Sequence, residues 1–246
     1  MRADLSWRAY LAEATFECIR ALRAPGFSVP TLLLPAALYL FFGVVLAQAS
    51  RSEDIDRFIL SGFAVMGVIG PGLFGFGIFV AVEREQGLLK LKRALPMPPA
   101  AYLLAKMFMT LLFAMLVTLT VIGVALAAGK VVVSGAQVVA LAAIVVAGAL
   151  PFCAIGLLIG SWAGGRSAPA FVNLLYLPMI YLSGFLIPLP KSIDAIQYVS
   201  PAYHLDRLAM WSIGAPVAGL AVHVAVLAAV TIVGSAAALR RLAAAE

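Results

Sequence analysis

The chain has 246 residues, of which 64% are hydrophobic and 11% charged, with a formal net charge of +6. Soluble domains carry about 25% charged residues, and a fold of this size cannot hide so much apolar surface from water. A soluble enzyme, a disordered chain and a coiled coil are thereby excluded, and the excess of Lys and Arg reads as the basic loops of a membrane protein rather than a nucleic-acid surface.

The first 25 residues predict an amphipathic helix. Over residues 4–23, Trp7, Leu11, Cys18 and Leu22 fall together beside Leu5, Phe16 and Ile19, while Ser6, Glu13, Glu17 and Arg20 gather opposite. Such a helix lies in the membrane interface rather than crossing it, and Pro25-Gly26 ends it. Six apolar stretches follow, near 27–49, 58–82, 102–129, 136–162, 168–188 and 216–239. Each is long enough to cross about 30 Å of hydrocarbon at about 1.5 Å per residue. The expected fold is therefore an all-α membrane protein of six spans, a single transmembrane domain over 1–246. Ala47-Gln48-Ala49 resembles a signal-cleavage site, but the long acidic-containing region before it argues for an uncleaved span. Cys18 and Cys153 are not expected to form a disulfide.

Placing the N-terminus inside puts twelve Lys and Arg residues on the inner side and five outside. The positive-inside rule then makes both termini cytoplasmic. Two connections are more than short turns. Residues 83–101 form a charged cytoplasmic loop. Residues 189–215 form an outer segment that follows Pro188, holds a short apolar piece from Ile193 to Val199, and continues through Pro201. An apolar piece too short to span predicts a re-entrant or interfacial hairpin.

Within the spans, the glycines around Pro71 suggest a kinked second span, either a flexible packed helix or a moving gate. Gly156, Gly160 and Gly164 repeat every fourth residue and predict a close packing seam inside one subunit. Asn173 and Tyr176 share a face of the fifth span, where Asn173 either lines a path or bonds a neighbouring helix. His223, an ionisable residue in the last span, reads as a functional candidate or, more simply, as a neutral hydrogen-bonded packing histidine, and His204 as a cap or hairpin contact near the outer surface rather than a proton carrier.

The motifs that are missing also constrain function. No G-x-x-x-x-G-K-[ST], H-E-x-x-H or G-x-S-x-G occurs, so the chain carries no phosphate-cradling loop, metalloprotease site or nucleophile elbow of its own. No cofactor, no metal and no catalysis by this chain are expected. An intramembrane lipid-modifying enzyme would need converging acid–base groups, and an ion-coupled secondary transporter would need midplane carboxylates. Both remain the alternatives against which a permease is weighed.

The loop carries Glu83-Arg84-Glu85, Gly87, Leu89, Pro96 and, ten residues further, Lys106. This pattern resembles the coupling loop of type-2 ABC exporter permeases. A second segment, Ser183-Gly184-Phe185, Pro188, Pro190 and Ser200-Pro201-Ala202-Tyr203-His204 with Asp206-Arg207, resembles the end of that family's fifth span and its outer hairpin. Lys90 and Lys92 are basic where the family often has an acidic or apolar residue. The resemblance implies a permease subunit of an ABC exporter in the bacterial cytoplasmic membrane, moving a hydrophobic drug, antibiotic or lipid. It implies a second permease subunit, either a second copy in a homodimer or a homologous partner, contact with membrane lipids, and two ABC ATPase subunits that hold ATP and Mg. It assigns ATPase coupling to Glu83, Arg84, Glu85, Gly87, Leu89 and Pro96. The substrate path falls to Pro71, Phe74, Asn173 and Tyr176, and the outer hairpin to Pro188, Pro201 and His204.

Overall fold

A computed structural model describes residues 2–46, 53–94, 99–129, 131–184, 190 and 193–244. The described residues contain helices and turns and no strand. Helix α1 (Arg2–Leu22) stops where Pro25 opens α2 (Pro25–Tyr39), which runs on as a wide π-helical turn over Leu40–Val45. Then come α3 (Glu53–Gly70), a second π segment (Pro71–Ile78) and α4 (Phe79–Glu85) as one continuous rod, followed by the short α5 (Leu88–Ala94). The rest of the chain forms α6 (Pro99–Ala127), α7 (Gly135–Ala147), α8 (Leu150–Trp162), α9 (Ala168–Leu182), α10 (Pro201–Ser212) and α11 (Leu220–Ala244).

Among the described residues, five helical stretches are long and apolar enough to cross a membrane: Pro25–Val45, Asp54–Glu85, Ala101–Ala127, Gly135–Trp162 and Leu220–Ala244. The expected fifth span is shorter. Helix α9 has 15 residues, about 22 Å at 1.5 Å per residue. It ends where Gly184 takes a left-handed φ of +76°, the conformation with which glycine terminates helices. The apolar stretch expected over 136–162 is likewise two helices, broken at Gly148-Ala149 before Pro151 sits near the start of α8.

The predicted kink in the second span takes a definite form. Pro71 has no N–H to donate and its ring crowds the preceding turn, and the helix relieves this by widening into a π segment eight residues long. That segment packs against α8 through glycines. A Cβ on Gly77 would lie 2.9 Å from the Gly156 carbonyl oxygen, and one on Gly160 2.7 Å from the Gly77 oxygen. The seam predicted from Gly156 and Gly160 is thus a contact within this chain. The main core, built on Phe63, Ile69, Leu73, Val117, Phe152 and Leu205, lies between α3, α6, α8 and α10.

Helix α1 keeps the amphipathic division read from its sequence, but its polar face points into the protein. Glu17 is buried, while Trp7, Leu11, Phe16, Ile19 and Leu22 are exposed; Cys18, read on the apolar face, departs from the division and is buried beside Glu17. An apolar outer face suits contact with lipid. The polar face meets α6, which positions the site described next.

Candidate functional site

Glu13, Glu17 and Arg20 recur at i, i+4 and i+7 along α1, which sets them on one face. Tyr102 and Lys106, one turn apart, form the opposing face of α6, and Glu83 arrives at the end of the second-span rod. Lys106 is 0% exposed, and Glu17 and Glu83 are 1% exposed. Lys106 Nζ donates to Glu17 Oε2 and to Glu83 Oε1, each at 2.9 Å. Tyr102 donates its hydroxyl to Glu83 Oε2 at 2.5 Å, and Arg20 donates to Glu83 Oε1. From α5, Lys92 donates to Glu13 and, at 3.2 Å, to Glu17 Oε1.

Three carboxylates therefore meet three cations, an arrangement that a low-dielectric interior tolerates only when charge and hydrogen bonds are both matched. Aromatic rings complete the cage. Lys106 Nζ lies 5.0 Å from the Tyr102 ring centre and 5.6 Å from that of Phe79, and Arg20 stands 5.1 Å over Phe79. Burial by itself would lower the pKa of both Arg20 and Lys92. For Arg20 the charge of Glu83 and its hydrogen bond override burial, and for Lys92 the hydrogen bond of Glu13 and the charge of Glu17 do so, leaving both raised.

The next two residues turn the other way. Arg84 donates from Nη1 to the Ser161 carbonyl at 2.9 Å and from Nη2 to the Ala163 carbonyl at 2.8 Å, covering carbonyls that the C-terminus of α8 leaves without helical partners. Glu85 accepts from the Gly165 backbone N–H. The rod's end is thus tied to α1 and α6 by Glu83, to the end of α8 by Arg84 and to the turn after α8 by Glu85. Gly87, at φ +73°, reverses the chain into α5. Leu89 packs inward there against the Val80–Tyr102 cluster, and Leu91 is 61% exposed. Pro96 lies outside the described residues.

A second feature lies further along the rod. A cavity of about 290 Å³ opens between α2, the second-span rod and α9, with Phe27, Gly70, Phe74, Asn173 and Tyr176 among its lining. Phe74 and Tyr176 meet edge to face at 5.2 Å. The Asn173 side chain donates to the Pro169 carbonyl of its own helix at 3.0 Å.

A family model for the ABC-2 type transporter matches residues 9–236. The chain belongs to the ABC-2 type transporter family. It is also 30% identical over 200 residues, 76% of its length and 78% of the relative's, to a protein named "Putative transport permease YvfS" from Bacillus subtilis strain 168. The chain is accordingly a multi-pass membrane permease, a component of an ABC transporter.

Against this ABC-2 framework, the structure gathers some predicted residues and separates others. Phe74, Asn173 and Tyr176 share one cavity, whereas Pro71 is buried in the rod and shapes it through the backbone. Glu83 is enclosed by its own chain, so of the two roles open to it, pairing with a partner or holding the loop to a neighbouring helix, the geometry fits the second. Pro201 begins α10 and is buried, and His204 bonds His223. Pro188 lies outside the described residues. Sequence reading missed Glu17, Tyr102 and Lys106 as a unit. The available signal was Lys106 itself, an ionisable residue inside an apolar stretch, which marks function by default.

Proposed function

We propose that this chain is the permease subunit of an ATP-driven exporter, paired with a second copy of itself in the cytoplasmic membrane of a bacterium. Two ATPase subunits dock beneath it and hold ATP and Mg. The charged junction is then the cytoplasmic end, both termini lie on that side, and the cargo is hydrophobic, such as a drug, antibiotic or lipid.

The observation that carries this reading is the junction itself. Lys92 links the exposed loop helix α5 to α1, Lys106 links α1 to the second-span rod, and Glu83 is the carboxylate on which the latter bonds converge. A push on α5 from an ATPase surface is passed to the rod through matched, buried charges rather than through a flexible loop. The apolar cavity around Phe74 and Tyr176 lies on that same rod, where its shape follows the rod's movement.

The test uses the assembled complex of this chain with its ATPase subunit in liposomes. Glu83→Gln keeps the size of the side chain and removes its charge. The expected result is a joint fall in transport and in cargo-stimulated ATP hydrolysis, with binding of a hydrophobic dye unchanged. Weaker dye binding with normal stimulation at saturation would assign Glu83 to the cargo path and overturn the coupling role.

A further inference from the structure

The chain has two histidines, nineteen residues apart, and they face each other. His204 on α10 and His223 on α11 are both buried, with their Nδ1 atoms 2.8 Å apart and ring centres 5.0 Å apart. The other ring nitrogen of His204, Nε2, lies 3.0 Å from the Tyr198 carbonyl oxygen. They form part of the wall of a cavity of about 440 Å³ that is also lined by Tyr198, Tyr203, Arg207 and the 216–219 turn.

Proton accounting restricts this geometry. A carbonyl oxygen only accepts, so His204 Nε2 must carry the hydrogen. In a neutral His204 the Nδ1 atom is then a bare acceptor, and the short contact requires His223 to donate from its Nδ1. One added proton is tolerated at His223 Nε2, because the N–H···N bond survives it. A second proton has only the contact itself to occupy. It would set two N–H groups and two positive charges against each other across 2.8 Å.

We propose that His204 and His223 form a proton-sensitive clamp that holds the outer hairpin helix to the last span and releases it in an acid medium. The clamp stands at the far end of the molecule from the charged junction. Ser61, which bonds Asp206 next to the clamp, precedes Glu83 by 22 residues on one rod, about 33 Å at 1.5 Å per residue. Release separates α10 from α11 and widens the cavity between them.

The surrounding charges agree with this assignment. From the turn before α10 comes Tyr198, and from α10 itself come Tyr203, Asp206 and Arg207. The Tyr203 ring lies 5.4 Å from His204 and 5.9 Å from His223. Arg207 lines the same cavity and pairs with Asp206 at 3.2 Å. Helix α3, which holds Asp206 through Ser61, carries Asp54, Asp56 and Arg57 in its first turns, α7 carries no titratable residue, and α9 carries Tyr176 and Tyr181. The ionisable residues of α11 besides His223 are Arg240 and Arg241, near its opposite end. Asp206 is fully buried, and that burial, only partly offset by Arg207 and Ser61, pushes its pKa up to about 6. Acid that protonates the clamp therefore also discharges the carboxylate that balances Arg207, adding net positive charge to the cavity.

The inference rests on the exporter reading only for which medium the clamp senses, and its test needs neither transport nor the ATPase. The full chain, purified without a histidine tag and placed in nanodiscs, is labelled with ¹⁵N-histidine, which gives signals from two residues. At pH 8 a nitrogen–nitrogen coupling across the shared hydrogen bond is expected. It should vanish on acidification, because the second proton has only the shared contact to occupy. Amide exchange over 198–204 and 216–223, corrected for its intrinsic pH dependence, should rise about tenfold across that transition, a factor in the range of losing one hydrogen bond. His204→Ala should exchange fast at both pH values. His223→Asn should exchange slowly at both, because an amide donates to neutral His204 and accepts from its protonated form. Wild-type coupling and exchange that do not change with pH, or a His223→Asn chain as pH-sensitive as wild type, would overturn the clamp and leave the exporter reading untouched.

Discussion

Replacing Lys106 by Met isolates the energetics of the charged junction. The side chains are close in length, so packing is nearly conserved, but Glu17 and Glu83 each lose a 2.9 Å hydrogen bond to a cation. All three residues are essentially unexposed, so neither water nor salt compensates the two carboxylates. Removing one partner of a buried ion pair costs about 3–5 kcal/mol, and one kcal/mol moves the melting point of a chain this size by about 2–4 °C. The expected fall in Tm is therefore about 6–20 °C, followed by tryptophan fluorescence of the purified chain in nanodiscs, and it should persist in 1 M salt (Debye length about 3 Å). Lys106→Arg should lose much less. The double variant Glu17→Gln/Lys106→Met, which restores charge balance, should be more stable than Lys106→Met alone, a coupling that additive sites do not show. A Tm change under about 2 °C for Lys106→Met, or simple additivity in the double variant, would refute the matched-charge account.

Gly77→Ala should lower stability by about 1–3 kcal/mol, read as Tm, because the new Cβ would meet backbone, the Gly156 oxygen at 2.9 Å, which cannot rotate away. Gly70→Ala should leave Tm nearly unchanged, since nothing lies within 4 Å of a Cβ there, yet reduce transport if the junction of α3 with the π segment must bend. The folded-state pKa of Asp206, about 6, lies above the usual aspartate value, so the folded chain binds this proton more readily than the unfolded chain and the resulting stability is lost as pH rises through 6. Asp206→Asn should therefore gain stability relative to wild type above pH 6, with the difference closing toward about pH 4, as melting curves across that range will reveal. In the assembled transporter, with the proposed cytoplasmic termini, impermeant thiol reagents applied to intact cells should label a cysteine at Ala195 but not one at Lys90 or Arg166. Native Cys18 and Cys153 are buried and provide a quiet background.

Local signals in the sequence give most of the elements, though not the break within 136–162 or the end of the fifth helix, and non-local ones are lost. Pro25-Gly26 ends α1, and the apolar stretches become helices, because proline geometry and hydropathy act within a few residues. The E-R-E-x-G segment is legible as a unit for the same reason. Its partners are not. Glu17 meets Lys106 across 89 residues of sequence, and no periodicity connects them. The amphipathic division of α1 gives two faces but not which one turns inward. In a lipid solvent the charged face goes wherever the protein offers opposite charge, here Lys106 and Lys92. The histidine pair escapes notice for a related reason. His223 is legible by itself as an ionisable residue inside a span, but only the packing of α10 on α11 brings the two rings together.

The arrangement also explains why the wide π segment sits where it does. Below it, Glu83, Arg84 and Glu85 fix α4 to α1, α6 and the end of α8, and Gly77, in the segment's own last turn, is locked against Gly156. Above it, α3 is held by Ser61 to Asp206 on α10. The two ends of one rod thus belong to different packed groups, and any relative movement must be absorbed between them. Gly70 is the position best suited to absorb it. It has open space around its Cα, it precedes a proline that already weakens the helical ladder, and it faces the 290 Å³ cavity. In the proposed exporter, strain entering at the charged junction would therefore be delivered beside Phe74 and Tyr176, whose ring contact borders that cavity.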